Sequence, residues 1–403
     1  MQIGWIDFSK EDRKKVLSII DLLSEDGTLD ELGIAPIRDG FANLFFPGTS
    51  TIQTRAKYFL VVPYVLDTLA RESIVDSATF LKRLNEKEHK CGQILYAQNA
   101  NGTIGSRTLK SGGWVKRSPS DIYWAGIRRY GIFSEGKMSL HEYARVSCAS
   151  SREKKVLRRL GNRNDDAAEY ERDDANAGTM FSASFWNLPP HPADWSWMDT
   201  LTMELTPSEA EFLKAQIECT QSDSMLAFIL KNNLIDMPEM INFLSLGETN
   251  MIDAFPNDMQ ADYAMATAFS IFIYGARIRY NVILSDGKNE QANSEWAVYS
   301  PNLDACATLE LDKIFERLKV INPLLRKFLY AIQQNMRSGD IAALDECIKK
   351  REIQLKGANR AKINRVGEFP SDDWVGGRIL DYRFENAMTI VRDIFQGLEE
   401  TLC

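Results

Sequence analysis

Histidine is scarce in this chain. His89, His141 and His191 are the only three, and none stands at metal-ligand spacing from another. The six cysteines, Cys91, Cys148, Cys219, Cys306, Cys347 and Cys403, include no C-x-x-C pair. That pattern fits reduced thiols in a cytoplasm and argues against a disulfide framework or a zinc centre. Long apolar runs are missing too. The most apolar stretches, Tyr58–Leu66 and Ala264–Ala276, fall short of the roughly 20 residues a bilayer requires and read as buried core helices. The opening MQIGWIDFSKEDRKK has no cationic start followed by an apolar run, so no signal peptide is expected, and neither is a membrane partner. Neither an H-x-K pair nor a G-x-S-x-G elbow occurs. FPGTST at Phe46–Thr51 is not a phosphate loop, because no G-K-[ST] follows it. No catalytic residue, metal ligand or cofactor is therefore assigned, and a non-enzyme is the better expectation. For a metal nuclease, Asp372-Asp373 and Glu352-x-x-x-Lys356 can be put together on paper, but carboxylates are common in this chain, and surface acids are their ordinary reading.

The chain holds 403 residues, 44% of them apolar and 26% charged. That is too much for one small core, and two domains are expected. We read residues 1–150 as an α+β domain, 151–178 as a charged linker and 179–403 as a helical domain, giving a mostly α protein. Ile3–Phe8 reads as an edge strand and Ser9 as the start of a helix to about Ser24. Thr51–Arg71 reads as a helix apolar on most faces, kinked or split at Pro63. Asn99–Gly113 is Gly-rich and polar, a loop or the arms of a hairpin. Ser118-Pro119-Ser120-Asp121 and Thr206-Pro207-Ser208-Glu209 each combine a cap, a proline at the first helical position and an acid at the third. The linker runs basic and then acidic; its first half reads equally well as a charged surface helix. The later chain is a succession of helices without strand–turn–helix alternation, which argues against Rossmann or TIM-barrel enzymes.

Net charge is −8, which excludes a protein coated with cation over its whole surface but leaves room for a local basic patch. Thr103–Ile132 supplies one. Arg107, Lys110, Lys116, Arg117, Arg128 and Arg129 stand there against a single acid, Asp121, with Trp114, Tyr123, Trp124 and Tyr130 interleaved. Cations meet phosphates without regard to sequence, and aromatic faces stack on bases. With a basic loop before a capped helix, the segment also fits a winged-helix-like reader of DNA. The alternative is a core of aromatics whose arginines bridge to an acidic domain. Arg38, Arg55 and Lys57, near a Pro-Gly turn and a helix start, form a second candidate, an anion site; Arg55 can instead pair with Asp39 or Asp67. A third basic run, Lys349–Arg365, has seven cations and one acid. It extends the first patch or forms a solvated helix end. Glu204–Asp262, with eleven acids and two bases, offers an acidic face. The Pro- and Trp-rich Phe185–Trp195 reads as an extended strap packed on its own protein.

Four motifs, GWIDFS at Gly4–Ser9, FPGTSTIQTRAKYFLVVPY at Phe46–Tyr64, RSPSDIYWAGIRRYGI at Arg117–Ile132 and RILDYRFENA at Arg378–Ala387, resemble a bacterial family catalogued only as a domain of unknown function. The similarity spans essentially the whole chain. The resemblance implies a setting near helicase- and restriction-type genes of antiviral defence, and no residue roles. The expectation is a non-catalytic accessory component of a bacterial defence or DNA-processing complex that touches DNA through the first patch, with a helicase or nuclease subunit as partner. A protein-interaction scaffold and a divergent nuclease are the alternatives.

Overall fold

A computed structural model describes residues 30–161, 185–366 and 373–399. The strand expected at Ile3–Phe8, the helix from Ser9, the acidic half of the junction and Asp372 lie outside them. The described residues are mostly helical, as expected. Among them there is no β-strand, and the only isolated bridge pairs Phe133 with Trp186. The α+β character and winged-helix element expected before residue 150 are therefore not supported by the described part. Asn99–Gly113 makes turns around a short helix, Ser106–Lys110, rather than the arms of a hairpin. Its glycines explain the difference: Gly105 and Gly112 take φ of +77°, which lets them bracket a single helical turn. Within that turn Leu109 alone is buried.

Local chemistry sets the helix starts as the sequence implied. At Pro207–Thr220 the Thr206 hydroxyl accepts the Glu209 N–H, while the Glu209 carboxylate accepts the Thr206 N–H at 2.8 Å. At Pro119–Arg129 the Ser118 N–H and hydroxyl both donate to the Asp121 carboxylate, each at 3.0 Å. Such caps contribute about 1 kcal/mol each. Helix Tyr58–Arg71 starts later than expected and runs unbroken through Pro63, with every residue from Tyr58 to Leu66 buried. Two expectations shift in the later chain. A helix read from the sequence at Pro238–Leu244 is replaced by the short 3-10 turn Met237–Glu239, and Glu290–Tyr299 forms a helix that its weak apolar pattern does not announce.

The chain divides into two compact units, Met1–Gly40 with Ala264–Leu380, and Phe41–Tyr263 with Asp381–Cys403. The boundaries read from the sequence, near 150 and 179, both fall inside the second unit. The basic half of the charged stretch belongs to helix Leu140–Gly161, because a run of cations is as stable on a solvated helix face as in a linker.

In the first unit, helices Pro323–Ser338 and Ile341–Lys356 pack as a hairpin turned at Gly339. Leu325, Leu329, Ile332, Leu344 and Ile348 are buried there. In the second unit, helix Tyr58–Arg71 packs against Ser77–Ala97, Pro119–Arg129 and Leu140–Gly161. Helix Phe384–Glu399 packs on Pro207–Thr220 and Met225–Lys231. The approach is close at Gly397, where a Cβ would come within 2.8 Å of the Ala210 Cβ. The Pro- and Trp-rich strap is held within this unit. Trp186 Nε1 donates to the Tyr143 hydroxyl at 3.0 Å, Trp195 Nε1 to Glu72 Oε1 at 2.7 Å, and the His191 ring stacks on Tyr64.

Candidate functional site

The turn before helix Tyr58–Arg71 gathers residues from three of the sequence motifs. The Tyr123 hydroxyl accepts the N–H groups of Thr54 (2.8 Å) and Arg55 (3.1 Å) and donates to the Arg55 carbonyl. Arg383 donates to the Thr49 carbonyl at 2.8 Å, and Asn386 to the Gln53 carbonyl at 2.8 Å. Gly48, at φ +82°, lies against the Tyr130 ring, and a Cβ on Gly126 would collide with the Gly48 carbonyl. Distinctive residues in all three motifs thus serve one backbone turn.

That turn does attract anions, and here they are the protein's own. Arg55 Nε lies 2.9 Å from both Asp393 oxygens, and the Ala56 N–H donates to Asp393 at 2.8 Å. Lys57 Nζ lies 2.6 Å from Glu209 Oε2 and donates to the Glu204 carbonyl. The side chains of Arg55 and Asp393 are 15% and 5% exposed, those of Lys57 and Glu209 6% and 9%. Neither Asp39 nor Asp67 takes Arg55. Asp39 pairs with Arg38, which falls in the first unit, and Asp67 pairs with Arg71 and His191. Burial pushes the Asp393 carboxyl above its ordinary value, although the Arg55 guanidinium and the Ala56 N–H pull it down. The cleft beside the pair, lined by Glu204, Leu205, Gln396 and Gly397, measures about 30 Å³, room for one or two waters. Breaking a buried pair from one side leaves an uncompensated charge, so this arrangement fastens the C-terminal helix to the turn.

The basic, aromatic segment separates into two groups. Arg107 and Lys110 on helix Ser106–Lys110, and Lys116 and Arg117 on the turn that follows, are exposed. Among the described residues their side chains have neither an ion-pair nor a hydrogen-bond partner. Trp114 sits between them with its benzo edge against Gly92 and Gly105, stacked on His89 at 4.9 Å. It fastens the segment to helix Ser77–Ala97 and leaves the cations facing outward. Arg128 and Arg129 are placed differently, at the far end of helix Pro119–Arg129, about 16 Å away by helical rise. Arg128 donates to the Gly136 and Met138 carbonyls, and Arg129 donates to Gln221 Oε1 at 2.8 Å. The six cations therefore do not converge as one group.

Beneath the exposed group lies a residue the sequence reading passed over. Glu88 is 1% exposed and accepts the Ser120 N–H at 2.6 Å and the Ser120 hydroxyl at 3.1 Å. A signal was present, because Phe80, Leu84, Glu88, Cys91 and Leu95 make one stripe along Ser77–Ala97, with a carboxylate in an apolar position. Burial raises its pKa to about 8, against the pull of the Ser120 hydrogen bonds.

The third basic run is partly neutralised within its own unit. Lys356 Nζ lies 2.9 Å from Glu352 and 3.6 Å from Glu31, and Lys362 Nζ lies 3.3 Å from Glu31. Arg351 donates to the Leu32 carbonyl at 3.0 Å and lies over the Phe328 ring. Glu352 also accepts the Tyr280 hydroxyl and the Ile363 N–H. Burial pushes its carboxyl up, but Lys356 and these donors outweigh that and hold it below the usual range. A Glu352–Lys356 pair used in this way is structural. Among the described residues no group of three or more His, Cys, Asp or Glu comes together to hold a metal. No described helix is long and apolar enough to cross a membrane.

Residues 1–150 match the model of a Family of unknown function (DUF6361). The matched stretch contains the turn, Glu88 and all six cations of the basic, aromatic segment; the late motif Arg378–Ala387 lies beyond it. Neither the curated proteins nor the solved structures yielded a match.

Proposed function

We propose that the chain is a non-catalytic, nucleic-acid-contacting accessory protein, with Arg107, Lys110, Lys116 and Arg117 as its phosphate contacts. The observation that carries this reading is their state: four exposed cations without internal partners, in a protein of net charge −8. Other cations of the chain are neutralised from within, among them Arg55, Lys57 and Lys356. Unpaired surface cations repel one another, and a polyanion relieves that repulsion while releasing its own counterions. Arg128 and Arg129 support the fold beside the surface, and Trp114 anchors it. By the resemblance read from the sequence, the setting is a bacterial antiviral defence or DNA-processing complex with a helicase or nuclease partner.

Fluorescence anisotropy with a labelled 20-base-pair duplex tests this. The R107E/K110E/K116E/R117E variant should lose at least about a hundredfold in affinity at low salt, while R129Q binds as wild type. Equal binding by the fourfold variant rejects the proposal. The scaffold alternative has its own support in the second unit, where Ile235 and Ile241 are 60% and 88% exposed among the acids Asp236, Glu239 and Glu248. It predicts no salt-sensitive binding of the duplex.

A further inference from the structure

We propose that Glu88 couples polyanion binding at the cationic surface to proton uptake, so that the surface holds nucleic acid more tightly at neutral than at alkaline pH. This rests on the reading of that surface as a polyanion site and adds its regulation. Glu88 is a fully buried carboxylate whose hydrogen-bond donors, the Ser120 N–H and hydroxyl, are neutral. Ser120 stands in the first turn of helix Pro119–Arg129, directly after Lys116 and Arg117. On the other side of Glu88, its neighbour His89 stacks on Trp114, which carries the segment bearing Arg107 and Lys110. Glu88 is thus linked to both halves of the cationic surface, to one by its hydrogen bonds from Ser120 and to the other by its chain neighbour His89, stacked on Trp114.

The surrounding groups set the sign. Helix Pro119–Arg129 presents Ser118 and the carboxylate of Asp121, which disfavours a second negative charge; helix Tyr58–Arg71 presents the Tyr58 phenol. On its own helix, Cys91 is a buried thiol whose ionisation Glu88 opposes, and Lys87, His89 and Lys90 flank it in sequence. Helix Ser106–Lys110 packs on the same helix and brings Arg107 and Lys110. Helix Leu140–Gly161 meets the Ser77 end, where Phe80 packs on Tyr143 and Arg152 lies near Asp76. A phosphate settling on the cations adds negative charge above a carboxylate that already has a buried, acid-flanked site, and so favours its neutral form. By linkage, whatever ionises Glu88 weakens the phosphate contact. Burial raises the carboxyl to about 8, which places the transition at the edge of the physiological range.

The test is duplex binding by anisotropy at constant ionic strength from pH 7 to 9. Wild type should weaken roughly fivefold across that range. E88Q, which keeps the shape and the neutral state, should lose the dependence, whereas H141Q, at an exposed histidine of helix Leu140–Gly161 outside the two connections, should keep it. Wild type needs no substitution for a second readout: calorimetry at pH 8 in two buffers of different ionisation enthalpy should show uptake of about 0.2–0.4 proton per complex. No uptake, or a dependence that survives in E88Q, overturns the coupling. Absence of duplex binding by wild type at every pH overturns instead the reading of the surface on which it stands.

Discussion

Two basic segments of similar composition are used in opposite ways. Residues 103–117 carry four cations that face solvent without partners, whereas residues 349–365 spend theirs largely on their own unit. The acid beside each accounts for the contrast. Glu352 points at its lysine, accepts four donors and is held ionised; Glu88 accepts from the neutral Ser120, and burial favours its neutral form. A count of charges does not separate the two cases. The donors that one buried carboxylate accepts do.

The contrast can be broken most forcefully at Glu352. E352A leaves Lys356 buried without its main partner and should cost about 3–5 kcal/mol by urea denaturation, with duplex affinity unchanged; a loss below about 1 kcal/mol would mean that the network does not hold the first unit. The fourfold reversal in 107–117 should do the reverse, changing affinity about a hundredfold (near 2.7 kcal/mol) and stability by less than about 0.5 kcal/mol.

Acid and alkali should then act on different members of the comparison. Glu352 has a folded pKa below its unfolded value, so its contribution is present above the ordinary 4.5 and lost as pH falls through the folded value. Glu88 has the opposite sign. Its contribution is fully present below 4.5 and lost as pH rises toward about 8. Thermal melts of E88Q should therefore gain relative to wild type between pH 5 and 9, at about 1.4 kcal/mol per pKa unit as an upper bound. Parallel curves would contradict the buried, uncompensated carboxylate. The smallest expected effect is W114F, which keeps a ring against Gly92 and Gly105 and should weaken duplex binding about threefold or less, through a loosened anchor.

Much of the helical architecture was legible. Ser118 to Asp121 and Thr206 to Glu209 announce their helices because capping is local chemistry, and the burial of Tyr58–Leu66 follows from its unbroken apolar run. What stayed hidden depended on partners distant in sequence. Arg55 reads as an anion ligand until Asp393, 338 residues away, is seen to fill that role. The hydrogen bond from Arg129 to Gln221, 92 residues away, was equally out of sight. The glycines of Asn99–Gly113 signalled a break in regular structure, but not that two left-handed positions would frame a helical turn in place of a hairpin. Glu88 was visible as an acid on an apolar stripe, and it is the position where the local pattern breaks its own rule.

The most direct test sets the two segments side by side in one titration of salt against duplex affinity. Wild type and K349E/R360E/K362E/R365E, whose four cations all have partners, should both show a slope of log affinity on log salt of about −3 to −4, as expected for four phosphate contacts, while R107E/K110E/K116E/R117E should be nearly flat and weak. Equal slopes for the two fourfold variants would contradict the claim that only unpartnered cations meet nucleic acid.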